Sequence, residues 1–223
     1  MSTTASPQVR ARIPDHVVAR WAGGLALGHI VLLLGGFALE AAPVAHGEAP
    51  SKALHAYAQV NMTRTMTGGY IEALAFVVLL PALLLVARSL ARRTDLGRLA
   101  TQVFVGLGVA FVASTLATGF PPGAAAIYAA QHGVDATTVA TVNDIRNYAY
   151  VLQVMLTAAM ALCVGVASLV ERRHTRWIGW GGIGVGALGL AATPVAHDGV
   201  NLVWMIWWAG LGVVLLREKE QLD

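Results

Sequence analysis

The sequence predicts an all-α integral membrane protein, a bundle of six membrane-spanning helices in a single domain. Apolar residues make up 57% of the 223 residues and charged residues only 12%, about half the charged share of a soluble domain. The mean hydropathy is +0.64. A soluble protein of this size could not bury so much apolar surface. Composition therefore excludes a soluble enzyme, a disordered chain and a disulfide scaffold.

Six apolar stretches have about the 20 residues that a helix needs to cross the hydrocarbon core. They cover residues 20–40, 69–90, 99–120, 148–170, 177–195 and 200–217. Continuous apolar runs indicate helices rather than the alternating strands of a barrel. The lone cysteine, Cys163, lies in the fourth stretch, so no intramolecular disulfide can form. We expect a cytoplasmic segment over 1–19, one transmembrane domain over 20–217 and a cytoplasmic tail over 218–223.

The distribution of basic residues predicts the orientation of the chain. The net charge is +3, but the basic residues stand in short clusters between apolar runs, which argues against a nucleic-acid partner. Three basic residues would lie on one side of the membrane, namely Lys52, Arg64 and Arg146. Twelve would lie on the other side: Arg10, Arg12, Arg20, Arg88, Arg92, Arg93, Arg98, Arg172, Arg173, Arg176, Arg217 and Lys219. The positive-inside rule then places both termini in the cytoplasm.

The two long segments over 41–68 and 121–147 would face outward, and both are expected to contain helix. Ser51 and Asp135 each precede a helical pattern and can cap it.

Sequence similarities at matching depth suggest three tandem helical hairpins of like orientation. Span 1 begins Arg-Trp-Ala-Gly over 20–23, and span 5 begins Arg-Trp-Ile-Gly over 176–179. A Val-Asn pair recurs near the outer start of three helices, at Asn61, Asn143 and Asn201. The hairpins would cover 20–93, 98–173 and 176–219. Such a repeat differs from the inverted repeats of many transporters.

Polar residues at the outer helix ends predict a ligand pocket. Arg64 and Arg146 follow the first two Val-Asn pairs, and two guanidinium groups could hold an anionic group in bidentate fashion. The three asparagines would line the mouth. Glu40, Glu72, Asp144 and Asp198 are possible partners of the arginines. The alternative is that these charges only form interhelix ion pairs or reach the interface.

A second class of function is acid–base catalysis inside the membrane on a lipid or isoprenoid. Its catalytic candidates are Glu72, Asp144 and Asp198, with aromatic side chains around the apolar chain. A buried carboxyl without an arginine would favour this class, whereas a tight arginine–carboxylate pair would favour the pocket. A proton path from Glu72 through His29 ranks last, because the cytoplasmic halves of spans 2, 4 and 6 are apolar.

Histidines give weak signals for metal or haem. His46 and His197, with nearby carboxylates, could form an open metal site, but their spacing matches no closed motif. His29 lies at the middle of span 1 and lacks a second mid-depth histidine for haem ligation. We therefore predict no metal, and the sequence assigns no cofactor.

The chain resembles a broad bacterial family of six-span membrane proteins of unassigned function. The resemblance rests on the Arg-x-x-Gly start of span 1, the long segments before spans 2 and 4, and the basic turn over 171–173 before a glycine-rich span 5. It implies a compact bundle in a bacterial inner (plasma) membrane and carries over no catalytic residues.

The leading hypothesis is a non-enzymatic membrane protein with an outward-facing polar pocket. The pocket would bind a small anionic or amphipathic ligand, or a partner membrane subunit, in contact with membrane lipids. A membrane-embedded enzyme is the alternative.

Overall fold

The computed structural model describes residues 13–40, 43–90, 93–172 and 175–218, which form helices and no strands. The helices are α1 (Asp15–Phe37), α2 (Pro50–Ala58), α3 (Met62–Leu90), α4 (Asp95–Thr118), α5 (Phe120–Gln131), α6 (Ala136–Glu171) and α7 (Arg176–Leu216). The predicted all-helical class is confirmed for this part of the chain. The basic positions Arg10, Arg12, Arg92, Arg173 and Lys219 lie outside it.

Five helical stretches in the described ranges are long and apolar enough to cross a membrane. They contain α1, α3, α4 with α5, α6 and α7, and the six predicted spans fall within them except for residues 38–40 and 217. α6 has 36 residues, a length of about 54 Å, against about 30 Å of hydrocarbon. α3, with 29 residues, and α6 are therefore both longer than the hydrocarbon core is thick.

α7 contains two antiparallel arms, which correspond to the fifth and sixth predicted spans. Its backbone leaves the helical region at Ala196 (φ −144°, ψ 36°), two residues after Pro194. Trp207 Nε1 donates to Ile178 O at 3.2 Å across 29 residues, a separation that would be about 44 Å in a straight helix. The chain therefore turns back on itself at Ala196.

The helices are arranged as three hairpins. α1 packs along α3, α4 along α6, and the two arms of α7 along each other. Gly23 lies against Gly212, and Gly97 against Glu171. These contacts bring the start of α1, the start of α4, the end of α6 and the end of α7 together at one end of the bundle, which we call the terminal end. The opposite end, where α2 and α5 lie, is the cavity end.

The short helices α2 and α5 cover the cavity end. Their apolar faces meet α6 through the buried residues Ala53, Tyr57, Ile127 and Val139. The expected cap at Ser51 is wrong: α2 begins at Pro50, whose fixed φ suits the first turn of a helix, and no side chain caps it.

The expected cap at Asp135 is confirmed. Its carboxylate accepts from the Thr138 backbone N–H at 3.0 Å. The Thr138 hydroxyl and N–H hydrogen bonds lower the pKa of the Asp135 carboxyl.

Glycines allow the long helices to pack closely. A methyl group at Gly186 would lie 2.8 Å from Ala158 O, and one at Gly182 would lie 2.7 Å from Ala161 O. Close approach of this kind is how small residues favour helix association in membranes. The Gly-x-x-x-Gly pair over 182–186 therefore serves packing within the chain. Trp207 and Trp208 are buried and fill space in the same bundle.

Candidate functional site

A cavity of about 290 Å³ opens at the cavity end of the bundle. This volume lies near the lower limit of small-molecule sites, about 300–1,000 Å³. Its inner wall is apolar and aromatic, with Leu33, Phe76, Phe111, Val154 and Trp204. All five side chains are buried in the bundle. Helices α1, α3, α4, α6 and α7 each supply one of them.

Two carboxyl groups and one guanidinium lie in the polar part of the wall. Arg146 Nη2 donates to Glu40 Oε2 at 2.7 Å, and the two side chains are 15% and 4% exposed. The buried Glu72 side chain lines the same part of the cavity as Glu40 and Arg146. Glu40 Oε1 is buried and accepts no hydrogen bond. We call these three residues the carboxyl–arginine cluster.

Glycines on α1 and α3 bring the two carboxyl groups together. A methyl group at Gly68 would lie 2.9 Å from Glu40 Cγ, and one at Gly36 would lie 3.0 Å from Glu72 Cβ. Each glutamate therefore packs against the glycine of the facing segment. The sequence carries this signal as Gly-x-x-x-Glu, over 36–40 and again over 68–72. In α3 this spacing places the glycine and the glutamate on one helix face. Glu40 lies just past the end of α1, where its backbone N–H donates to Gly36 O at 3.1 Å. Sequence reasoning missed this pattern.

Arg146 is held from the side by α5 and α2. A methyl group at Gly123 would lie 2.9 Å from Arg146 Nη1, so a larger residue there would shift the guanidinium from its present position. Tyr57 of α2 lies next to Arg146. Burial raises the pKa of the Tyr57 hydroxyl, and the adjacent guanidinium partly opposes that shift. Two helices outside the long bundle thus fix the position of Arg146, the arginine found among the described residues of the cavity wall.

The mouth of the cavity carries neutral polar groups and one more acid. Asn201 Nδ2 donates to the Tyr150 hydroxyl at 3.0 Å. Asp198 lies beside the same hydroxyl, with 85% of its side chain exposed. Asn147 also lines the cavity and donates to Val44 O at 2.9 Å.

The two arginines predicted to act together have different surroundings. Arg146 lines the cavity, whereas Arg64 is exposed and is absent from its lining. Arg64 Nη2 donates to Ala38 O at 2.9 Å. Asn61 accepts from the Arg64 backbone N–H at 3.0 Å, which is the contact of a helix cap.

The three Val-Asn pairs also differ in role. Asn61 caps α3 and Asn201 lines the cavity, while Asn143 is buried within α6. Asn143 Oδ1 accepts from the Tyr57 hydroxyl at 2.7 Å, and its Nδ2 donates to Val44 O at 2.9 Å. Asn143 therefore ties α2 and the segment before it to α6.

The other predicted acids and histidines lie mostly outside the cavity. His46 contacts Asp144 at 3.3 Å and the Tyr148 hydroxyl at 2.9 Å. His197 lies 3.9 Å from Asp198. Within the described ranges, no group of three histidine, cysteine or acidic side chains could hold a metal ion.

His29 is fully buried in the middle of α1. Its Nδ1 donates to Ala75 O at 2.9 Å, which fixes the tautomer because a carbonyl oxygen only accepts. Nε2 has no partner, and the ring packs edge-on against Phe76 and Trp204. This hydrogen bond joins the middle of α1 to α3, which is a structural role for His29.

No protein family, curated protein or solved structure matches this chain. The resemblance to a six-span bacterial family stays an expectation drawn from the sequence.

Proposed function

We propose that the chain is a multi-pass protein of a bacterial inner membrane whose cavity binds a small amphipathic molecule without transforming it. One observation carries the proposal: the cavity combines an aromatic inner wall with a charged and hydrogen-bonding mouth. Such a site takes the apolar part of a ligand inward and leaves its polar part at the mouth. The positive-inside rule would place the cavity end on the outer side of the membrane and both termini in the cytoplasm.

The amphipathic class is preferred over the anionic class because of where the arginines lie. The exposed Arg64 lies outside the cavity lining, and Arg146 already forms an ion pair with Glu40. An anion would have to displace Glu40 from Arg146 and leave that carboxylate buried. Burying an unpaired charge is costly, so a ligand that leaves this pair intact fits better.

The proposal is tested by filling the cavity. Val154→Phe and Thr115→Leu enlarge buried side chains of the inner wall from two different helices. Leu152→Phe is the matched control, since Leu152 is exposed on the outside of α6. We expect native mass spectrometry in mild detergent to find a bound amphiphile on the wild type and the control, and to find it lost from both filled variants.

Equal retention of the amphiphile by all four proteins would contradict the proposal. Thermal unfolding of each variant separates loss of binding from loss of folding, because overpacking alone costs about 1–3 kcal/mol.

A second candidate function is acid–base catalysis on an amphipathic substrate. It is favoured by the contact between the Glu40 and Glu72 carboxyl groups in the cavity wall. The tight Arg146–Glu40 pair favours binding instead. A retained molecule whose mass changes on incubation with the wild type, but not with Glu72→Gln, would support the enzyme.

A further inference from the structure

The charges of the cavity wall are not balanced. Its described residues include three carboxyl side chains, Glu40, Glu72 and Asp198, and one guanidinium, Arg146. Arg146 pairs directly with Glu40, which leaves Glu72 as an excess acid among buried side chains. Asp198 adds a further acid at the exposed mouth. When Glu72 is ionised, the described wall therefore carries a net negative charge, which favours a cation.

An acidic cluster alone does not define a ligand, but the cavity has further features that suit a cation. Glu40 Oε1 is buried without a hydrogen-bond partner, so an acceptor is available. Phe76, Phe111 and Trp204 form a continuous aromatic wall, with centroids 5.5 Å apart for the two phenylalanines and 6.2 Å for Phe111 and Trp204. Aromatic faces attract organic cations, most strongly where water is excluded.

We propose that the ligand of this cavity is an amphipathic organic cation, an amine or quaternary ammonium group on a short apolar chain. This inference rests on the proposed binding function and names the chemical class of its ligand. The cationic group would lie at the Glu40–Glu72 pair, and the apolar chain would lie along the aromatic wall. Arg146 stays paired with Glu40 and leaves Glu72 as the counter-ion of the ligand.

A proton and the cation would compete for the same place. Two adjacent carboxyl groups disfavour the state in which both are ionised, and either a shared proton or a bound cation relieves that repulsion. The titratable and charged groups that face Glu72 are Glu40 after α1, Arg146 and Tyr150 on α6, and Asp198 on α7. Cavity residues on α4 and the residue before α5, Thr115 and Gly119, carry no charge. Cation binding should therefore weaken as the pH falls.

The test compares three small probes that share a six-carbon apolar part and differ in their polar head group: hexyltrimethylammonium, hexanoate and 1-hexanol. Binding to the full chain is measured by calorimetry in phosphatidylcholine nanodiscs, with empty nanodiscs subtracted. We expect the cation to bind at least about tenfold more tightly than the alcohol, which corresponds to ~1.4 kcal/mol. Hexanoate should bind more weakly than either. The quaternary ammonium cannot lose a proton, so any pH dependence belongs to the protein.

Glu72→Gln tests the carboxyl group while it keeps the shape of the side chain. It should lower the affinity for the cation about tenfold or more and abolish the pH dependence, while 1-hexanol binding changes less than about threefold. Glu48→Gln is the matched control, because Glu48 is paired with Lys52 in an exposed segment. It should behave as the wild type.

The outcomes separate this inference from the proposed function. If 1-hexanol or hexanoate binds as tightly as the cation and Val154→Phe abolishes that binding, the cavity is a ligand site and the cationic class is wrong. If none of the three probes binds, or Glu72→Gln binds the cation as the wild type does, the inference also fails. Unchanged binding of all probes to Val154→Phe would contradict both proposals.

Discussion

Arg146 illustrates how a single side chain can hold a membrane site together. Its guanidinium contacts a buried carboxylate, lies close to a second and fits against a glycine of α5. Arg64, by contrast, lies at a helix start with its guanidinium on a backbone carbonyl in an exposed position. The two residues share a sequence motif but not an environment, so their energetic roles should differ widely.

We expect Arg146→Gln to lower the free energy of unfolding by about 3–5 kcal/mol, because it leaves a buried carboxylate without its partner. Arg64→Gln should cost only about 0–1 kcal/mol, as for other exposed charges. Thermal and denaturant unfolding of the purified proteins in detergent measures both. Similar losses for the two variants would mean that the Arg146–Glu40 pair does not stabilise the fold.

Glu40→Gln should cost less than Arg146→Gln. The guanidinium would still have Glu72 beside it, and the repulsion between the two carboxyl groups would be gone. The same unfolding measurements compare the losses in free energy of unfolding of the two variants. A larger loss for Glu40→Gln than for Arg146→Gln would show that Arg146 does not stabilise both carboxyl groups.

At this scale the sequence predicted part of the site. Glu40 and Glu72 were among the possible partners of Arg146, because charged groups in apolar surroundings pair. Contact between the two acids was not predicted, since it depends on the depth at which α1 and α3 cross. The three Val-Asn pairs led us to expect that their asparagines line the mouth of one pocket, and in the structure they do not lie together. An asparagine can cap a helix or bridge two elements, and the local sequence is similar in both cases.

Among the elements, glycine spacing decides how closely helices approach and where side chains meet. Gly36 and Gly68 face each other between α1 and α3, while Gly24 on α1 has open space around it. Glycine therefore allows the close contact between α1 and α3 at Gly36 and Gly68, whereas at Gly24 no neighbouring atom requires it.

Gly68→Ala should destabilise the protein by about 1–3 kcal/mol, because the new methyl group would lie 2.8 Å from Gly36 O and 2.9 Å from Glu40 Cγ. Gly24→Ala should be neutral or should stabilise the protein by up to about 1 kcal/mol through helix propensity. Paired thermal unfolding curves give the comparison. Equal effects of the two substitutions would remove the argument that Gly68 sets the α1–α3 contact.

Long elements were predicted well and short ones less so. The six apolar runs lie in the described helices, because hydropathy over about 20 residues is a strong signal. The helical character of the segments before spans 2 and 4 was also expected. The start of α2 was placed wrongly, since Pro50 and Ser51 both favour a helix start and only tertiary contacts decide between them.

For the molecule as a whole, the three-hairpin layout puts the described ends of the chain at the terminal end and the cavity at the other. The sequence suggested three hairpins through its Arg-Trp-x-Gly and Val-Asn similarities at matching depth. It could not predict the cavity, which arises where five helices diverge around aromatic side chains rather than from any contiguous motif.

The proposed orientation can be tested with single cysteines in a Cys163→Ser background. Asp95→Cys lies at the terminal end and Thr137→Cys at the cavity end, and both positions are exposed. A membrane-impermeant maleimide applied to intact spheroplasts should label Thr137→Cys at once and Asp95→Cys only after permeabilisation. The opposite pattern would reverse the orientation and turn the cavity toward the cytoplasm.

The Arg146–Glu40 pair joins residues 106 positions apart, and this separation matters during biosynthesis. The first hairpin enters the lipid with both of its acids while their cation is still to be translated. A nascent chain that stops short of residue 146 lacks the guanidinium with which Glu40 pairs in the folded protein. The pair can form only once the second hairpin has been made, so the cavity wall takes its final form late in the synthesis of the chain.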